Sequence, residues 1–202
     1  MRDDGRVVFS VRDVDIPSTE TWDVVKRVLG TSGLVCPARG ALFRPCLVPF
    51  WIRIKEQDIL VFGRRGSDEG LGIDGEGRVV NVLEGKDFHG IQFINSDILR
   101  FSKSVEWFSR RFPIAAVADS CIGDLDDEAD ALKRELMDID PPCMDTDTFW
   151  ETIYWDVTIG DWCGEEVGDC EDVDWELYQK DSPPWWEFPG TWLSPSFDRV
   201  SG

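Results

Sequence analysis

The stretch ILVFGRRGSDEGLGIDGEGRVVNVL, residues 59–83, decides the fold. Its apolar, β-branched runs, Ile59 to Gly63, Leu71 to Asp74 and Arg78 to Leu83, are separated by clusters of glycine and acid, the punctuation of strands rather than of a helix. Asp74, Gly75, Glu76 and Gly77 tolerate positive φ, so the runs flanking them are expected to fold back on each other as an antiparallel hairpin. FWIRI at 50–54 precedes this stretch and HGIQFIN at 89–95 follows it, which extends the expectation to a mostly antiparallel sheet. The glycines of 63–77 do not form a phosphate loop. No Gly-Lys-Ser/Thr follows them and no strand feeds directly into a helix, so the anion-cradling geometry is missing.

On both sides of the strands the apolar period becomes helical. Toward the N-terminus, VVFSV (Val7 to Val11) reads as a short strand. Ser18 or Thr19 then caps an amphipathic helix carrying Trp22, Val25, Val28 and Leu29, which Gly30 is expected to end. Toward the C-terminus, Ser96 or Asp97 caps a helix whose stripe is Ile98, Phe101, Val105, Phe108 and Phe112, up to Pro113. Residues 126–139 repeat the pattern with Ala129, Leu132, Leu136 and Ile139 until Asp140-Pro141-Pro142 stops it. Phe149, Trp150, Ile153, Tyr154 and Val157 make a last short helix rather than a strand. Antiparallel strands with helices at both ends describe an α+β layer fold.

A chain of 202 residues holds one substantial core and is short for two ordinary domains. We therefore expect one domain over 1–160 and a C-terminal extension over 161–202, where acid, proline, glycine and tryptophan accumulate without a sustained period. Acid and proline alone would suggest disorder. Yet Trp162, Trp175, Trp185, Trp186 and Trp192 are costly to leave in water. Either the extension wraps back over the body, which the cost of exposure favours, or its aromatic residues are held for a partner.

The net charge of −19 is unevenly placed. Residues 1–112 carry 17 Lys/Arg against 16 Asp/Glu, whereas residues 113–202 carry 4 against 24. So acidic a half repels nucleic acid, whose binding needs basic side chains to displace counterions from phosphate. It attracts a basic partner and speeds the encounter. No apolar run is long enough for a membrane span and the N-terminus lacks the pattern of a signal peptide, so a cytoplasmic location is expected. Cys36, Cys46, Cys121, Cys143, Cys163 and Cys170 are accordingly read as thiols.

Catalytic and metal chemistry find little support. The one histidine, His89, opens a predicted strand, where a structural role is the plain reading, and no cysteine stands in a basic setting that would activate it. Zinc would need close Cys and His ligands, but Cys163 and Cys170 are seven apart. The carboxylates of the extension are hard ligands in no EF-hand order. Carboxylate pairs are too numerous among 40 acidic residues to select an acid and a base. We expect no enzyme, no cofactor and no resident metal.

The order of elements resembles a family. Ile59 to Leu83 forms a strand, Gly-rich segment and hairpin. Asn95-Ser96 opens a helix rich in Phe and Leu. Leu136, Ile139, Asp140 and Pro141 form a Leu-x-x-Ile-Asp-Pro signature before the Phe149-Trp150 pair. Together these are similar to the SUKH superfamily of bacterial immunity proteins, in particular its fourth family, over residues 16–160. The resemblance implies an α+β domain that neutralises a cognate polymorphic toxin domain by binding it, commonly a nuclease or nucleic-acid deaminase and so commonly basic. Carboxylates with aromatic side chains suit such a partner. The candidate contact residues are Asp124, Asp126, Asp127 and Glu128, then Glu165, Glu166, Asp169, Glu171, Asp172 and Asp174 with Trp175, Trp185 and Trp186. The competing readings are a non-catalytic scaffold or regulatory binding module, and a hydrolase or transferase using His89 or clustered carboxylates.

Overall fold

The structure, a computed structural model, describes residues 6–12, 14–35, 42–54, 56–65, 69–85, 88–111 and 122–161. Five consecutive strands form an antiparallel meander: β3 (Arg44–Ile54), β4 (Gln57–Arg65), β5 (Glu69–Ile73), β6 (Val79–Gly85) and β7 (Phe88–Asn95), in the order β3-β4-β5-β6-β7. A separate two-stranded pair joins β1 (Arg6–Val7) to β2 (Leu34–Val35). The helices are α1 (Glu20–Arg27), α2 (Ile98–Arg111), α3 (Ile122–Ile139) and α4 (Phe149–Thr158). This is the α+β architecture expected.

The decisive hairpin forms as its residues dictate. Asp74 Oδ1 accepts from the backbone N–H groups of Glu76 and Arg78, while Arg78 Nε donates to Oδ2 at 2.8 Å. Gly77 takes φ +86°, a conformation that L side chains rarely adopt. Strand β4 carries apolar residues at every position from Ile59 to Phe62 because it is buried on both faces. Leu60 and Phe62 point into the main core with α1, α2, α3 and α4, whereas Ile59 and Val61 join a second cluster with Ile52, Ile54, Val80 and Val82. In the main core Phe62 lies edge-on to Phe9, Phe43 and Phe101, with ring centroids 5.7–6.1 Å apart.

Several boundaries differ from the sequence reading, each for a physical reason. Among the described residues the first strand is Arg6–Val7, paired with Leu34–Val35, and it does not run on to Val11. Thr19 caps α1, but the chain does not stop at Gly30. It continues as one π-helical turn, Val28–Ser32, to Gly33, whose φ of +75° supplies the left-handed residue that ends the helix. Gly30 instead permits close approach, because a Cβ there would lie 2.6 Å from Val11 Cγ2. Strand β3 begins at Arg44 and passes Pro45 and Pro49 through an irregularity in its pairing with β4, tolerable because β3 is an edge strand. Asp97, not Ser96, caps α2, with Arg100 N–H donating to Asp97 Oδ1 at 2.8 Å. Helix α3 starts at Ile122, ahead of the expected 126, and α4 is a helix capped by Thr148. Phe112 and the extension from 162 onward lie outside the described residues.

Candidate functional site

The residues that make the sequence recognisable converge on a buried carboxylate. Asp140, 1% exposed, follows α3 and reaches across to the start of α2. Its Oδ2 accepts from Asn95 Nδ2 at 3.0 Å and from the Ser96 backbone N–H at 2.7 Å, and its Oδ1 accepts from Ser96 Oγ at 2.8 Å. Asn95 Oδ1 in turn accepts from the indole N–H of Trp150 at 3.0 Å. Asn95, Ser96, Asp140 and Trp150 thus tie β7, α2, α3 and α4 into one network in which each buried polar group has a partner. Ser96 is diverted from helix capping by this contact, which is why Asp97 takes that place. Nothing can reach Asp140 from solvent, so the network builds the fold and is no reaction centre.

The solvent side of α3 and α4 is different. Asp126, Asp127 and Asp130 on α3 are exposed. The buried stripe of Phe149, Trp150, Ile153 and Val157 fixes α4, and this turns Trp155 and Ile159 outward, 57% and 71% exposed. Tyr154 lies between the two sets: its hydroxyl donates to Asp130 Oδ1 at 3.4 Å and Lys133 Nζ stands 5.4 Å from its ring centroid. Partial burial first, and then the negative charges of Asp130 and Asp126, hold the Tyr154 hydroxyl above the ordinary phenol range. Trp155 stacks edge-on to Tyr154 at 5.1 Å, and its indole N–H donates to Glu151 at 2.7 Å. The result is an aromatic and aliphatic centre beside a row of carboxylates.

Among the sequence candidates, Asp126 belongs to this face, close enough for its charge to act on Tyr154, and Asp127 is exposed on the outer side of α3. Asp124 lies in the first turn of α3 and its side chain is outside the described set. Glu128 turns toward α2 and pairs with Arg111, which itself stands over the Trp107 ring. Glu165, Glu166, Asp169, Glu171, Asp172, Asp174, Trp175, Trp185 and Trp186 lie outside the described residues. Sequence reasoning missed Asp130, Tyr154, Trp155 and Ile159. The signal was present, since α4 carries more large apolar residues than one buried stripe requires.

A concavity of about 500 Å³ opens where α1 meets the sheet. Trp22 and Trp51 form its floor, with ring centroids 5.2 Å apart, and Trp51 Nε1 donates to the Asp15 carbonyl at 2.9 Å. Asp58 at its rim is held in a two-pronged contact by Arg53 at 2.7 and 2.9 Å, and this contact is the main reason its carboxyl sits below the usual range. Its charge is already matched, which leaves the groove poorer in free carboxylate than the α3–α4 face.

No group of three or more His, Cys, Asp or Glu side chains is placed to hold a metal ion among the described residues. The two described thiols are poor nucleophiles: burial pushes Cys143 up to about 12, with Asp140 and Asp145 adding to the effect, and burial pushes Cys46 up to about 11 against the opposing charge of Arg64. The side chain of His89 is outside the described set. No described helix is long and apolar enough to cross a membrane.

No curated protein and no solved structure matches the sequence. The sequence model of the SUKH-4 immunity proteins matches residues 54–156, from the end of β3 to the last turn of α4. That span is slightly more than half of the 202 residues and contains the whole Asn95–Ser96–Asp140–Trp150 network. The chain belongs to the SUKH-4 immunity protein family.

Proposed function

We propose that this chain neutralises a cognate toxin domain by forming a stoichiometric, non-catalytic complex with it, and that the α3–α4 face is the contact surface. Membership of an immunity protein family is the observation that carries the function. The surface rests on the combination of exposed carboxylates at Asp126 and Asp127 with the exposed Trp155 and Ile159. Such a combination suits a partner with a basic groove. Carboxylates match its potential and steer the encounter, while an aromatic anchor fills a pocket and sets the lifetime of the complex. A nuclease or nucleic-acid deaminase domain has such a groove because its substrate is anionic. The complex forms in the cytoplasm, where a nucleic-acid-directed toxin acts.

The test is co-expression with the C-terminal domain of a large secreted protein encoded beside this chain, scored by survival and by co-purification. Rescue with a one-to-one complex is expected. Asp126→Lys with Asp127→Lys should slow association roughly tenfold at low salt and flatten its salt dependence. Trp155→Ala should leave the melting temperature unchanged and speed dissociation by about 30-fold, the effect of losing a contact worth about 2 kcal/mol. Variants that bind like the parent would move the interface elsewhere; failure of the parent itself to bind or rescue would refute the function.

A further inference from the structure

The groove where α1 meets the sheet is lined by two tryptophans, two carboxylates, two threonines, a proline and a glycine, with no basic side chain in its wall among the described residues. Trp22 is 4% exposed and belongs to the core, so the ring that a ligand meets is chiefly that of Trp51, half-buried on the edge strand β3. The two rings tilt 58° to each other, and the indole N–H of Trp51 is engaged by the Asp15 carbonyl. Both contacts hold the Trp51 ring in place before anything binds. Because its one N–H is used within the chain, Trp51 offers a ligand its π face and no donor. The face of an indole carries negative potential and attracts a cation.

The walls share this preference. Asp15 and Asp58 present carboxylates, which accept hydrogen bonds and donate none. An adjoining hollow over the start of α1 shares Thr19 and carries Glu20 and Asp23, with Arg27 as the one basic side chain in its wall among the described residues. Glu20 and Asp23 lie in the first turn of α1, where their charge meets the positive end of the helix and turns an incoming anion away. Arg53 matches Asp58, so the exposed Asp15 supplies the local charge, and it is the carbonyl of Asp15, not its carboxylate, that holds Trp51. A volume of about 500 Å³ accommodates a long side chain. A guanidinium is flat and weakly hydrated, so it can stack on the indole while its N–H edge reaches a carboxylate. An ammonium is a compact, strongly hydrated charge and gains less from such a floor.

We propose that this groove binds an arginine side chain presented by a partner protein, with the guanidinium stacked on Trp51 and its edge hydrogen-bonded to Asp15. The site takes one cation by shape and stacking, where the α3–α4 face works through a field of carboxylates around exposed apolar side chains. This goes beyond the toxin-binding reading and does not depend on it.

The experiment uses the full chain labelled with fluorotryptophan, in which Trp51→Phe and Trp155→Ala identify the fluorine resonances of those two residues. The probe is arginine blocked at both ends, N-acetyl-arginine methylamide. The Trp51 resonance should shift and saturate with a half-effect on the order of millimolar, the strength of one stacked cation with one ion pair, while Trp155 stays in place. Blocked citrulline, nearly the same shape without the charge, should bind about tenfold more weakly. Free arginine should bind no more tightly, since the α-carboxylate that it adds faces acidic walls. Asp15→Asn should weaken binding of the blocked arginine about threefold and leave the other resonances where they were. An unmoved Trp51, equal binding of blocked citrulline or blocked lysine, tighter binding of free arginine, a Trp155 shift in parallel, or no effect of Asp15→Asn would each overturn the proposal.

Discussion

Replacing Asp140 by alanine removes the acceptor of three hydrogen bonds, from Asn95 Nδ2, the Ser96 backbone N–H and Ser96 Oγ, in a place water does not enter. A hydrogen bond to a charged group contributes about 1.5–3 kcal/mol, and a buried donor left without a partner bears its full desolvation cost. Arg100, whose Nε is 3.7 Å from Oδ1, and Trp150, whose indole N–H donates to Asn95, lose their orientation as well. Summing such terms overshoots, because the site relaxes and the contacts are coupled. The cost of removing one partner from a buried charged set, about 3–5 kcal/mol, is the better guide, and we expect about 4 kcal/mol. Asp140→Asn is the informative comparison. Its carbonyl can take the position of Oδ2 and keep both donors there, while Ser96 Oγ turns to accept from the new amide, so the loss should be only about 1–2 kcal/mol. Urea unfolding followed by tryptophan fluorescence and far-ultraviolet circular dichroism measures both. With a denaturant slope of about 2 kcal/mol/M, the alanine variant should unfold about 2 M earlier than the parent. A loss below about 1 kcal/mol for alanine, or equal losses for the two variants, would refute the role assigned to this network.

Three further outcomes are expected. Gly77→Ala puts a Cβ 2.3 Å from Thr21 Cγ2 at a backbone φ of +86°, and should cost about 2 kcal/mol in the same urea assay. Asp97→Ala removes the α2 cap and should cost about 1 kcal/mol, whereas Ser96→Ala should cost more, because Ser96 serves the Asp140 network and not the cap. Cys143, with its thiol raised from 9.0 to about 12, binds its proton more tightly folded than unfolded. Its contribution is therefore complete below pH 9 and is lost as pH rises from 9 toward 12, so Cys143→Ala should flatten the fall in stability over that window. Thiol labelling of Cys143 at neutral pH should proceed only through opening of the fold.

What the sequence determined by itself was local. Helix periods, a cap at Ser18 or Thr19 that the structure gives to Thr19, the Asp74–Gly77 turn and the Asp140-Pro141 stop each depend on residues within a few positions of one another, where chain chemistry acts without tertiary help. The order of those elements was enough to show the resemblance to an immunity protein family. The tertiary structure decided what depends on distant partners. Ser96 is not the cap because its hydroxyl is turned to donate to Asp140, 44 residues away. Gly30 failed to end its helix because Val11 needed the space and Gly33 was available to take the left-handed turn. Carboxylates of one composition were divided into Glu128, tied to Arg111, Asp126 and Asp130, exposed beside Tyr154, and Asp127, exposed on α3. A run of residues records that β4 is apolar at every position from Ile59 to Phe62. Only the tertiary structure shows that alternate residues of that run serve two different clusters, Leu60 and Phe62 with the helices and Ile59 and Val61 with Ile52, Ile54, Val80 and Val82.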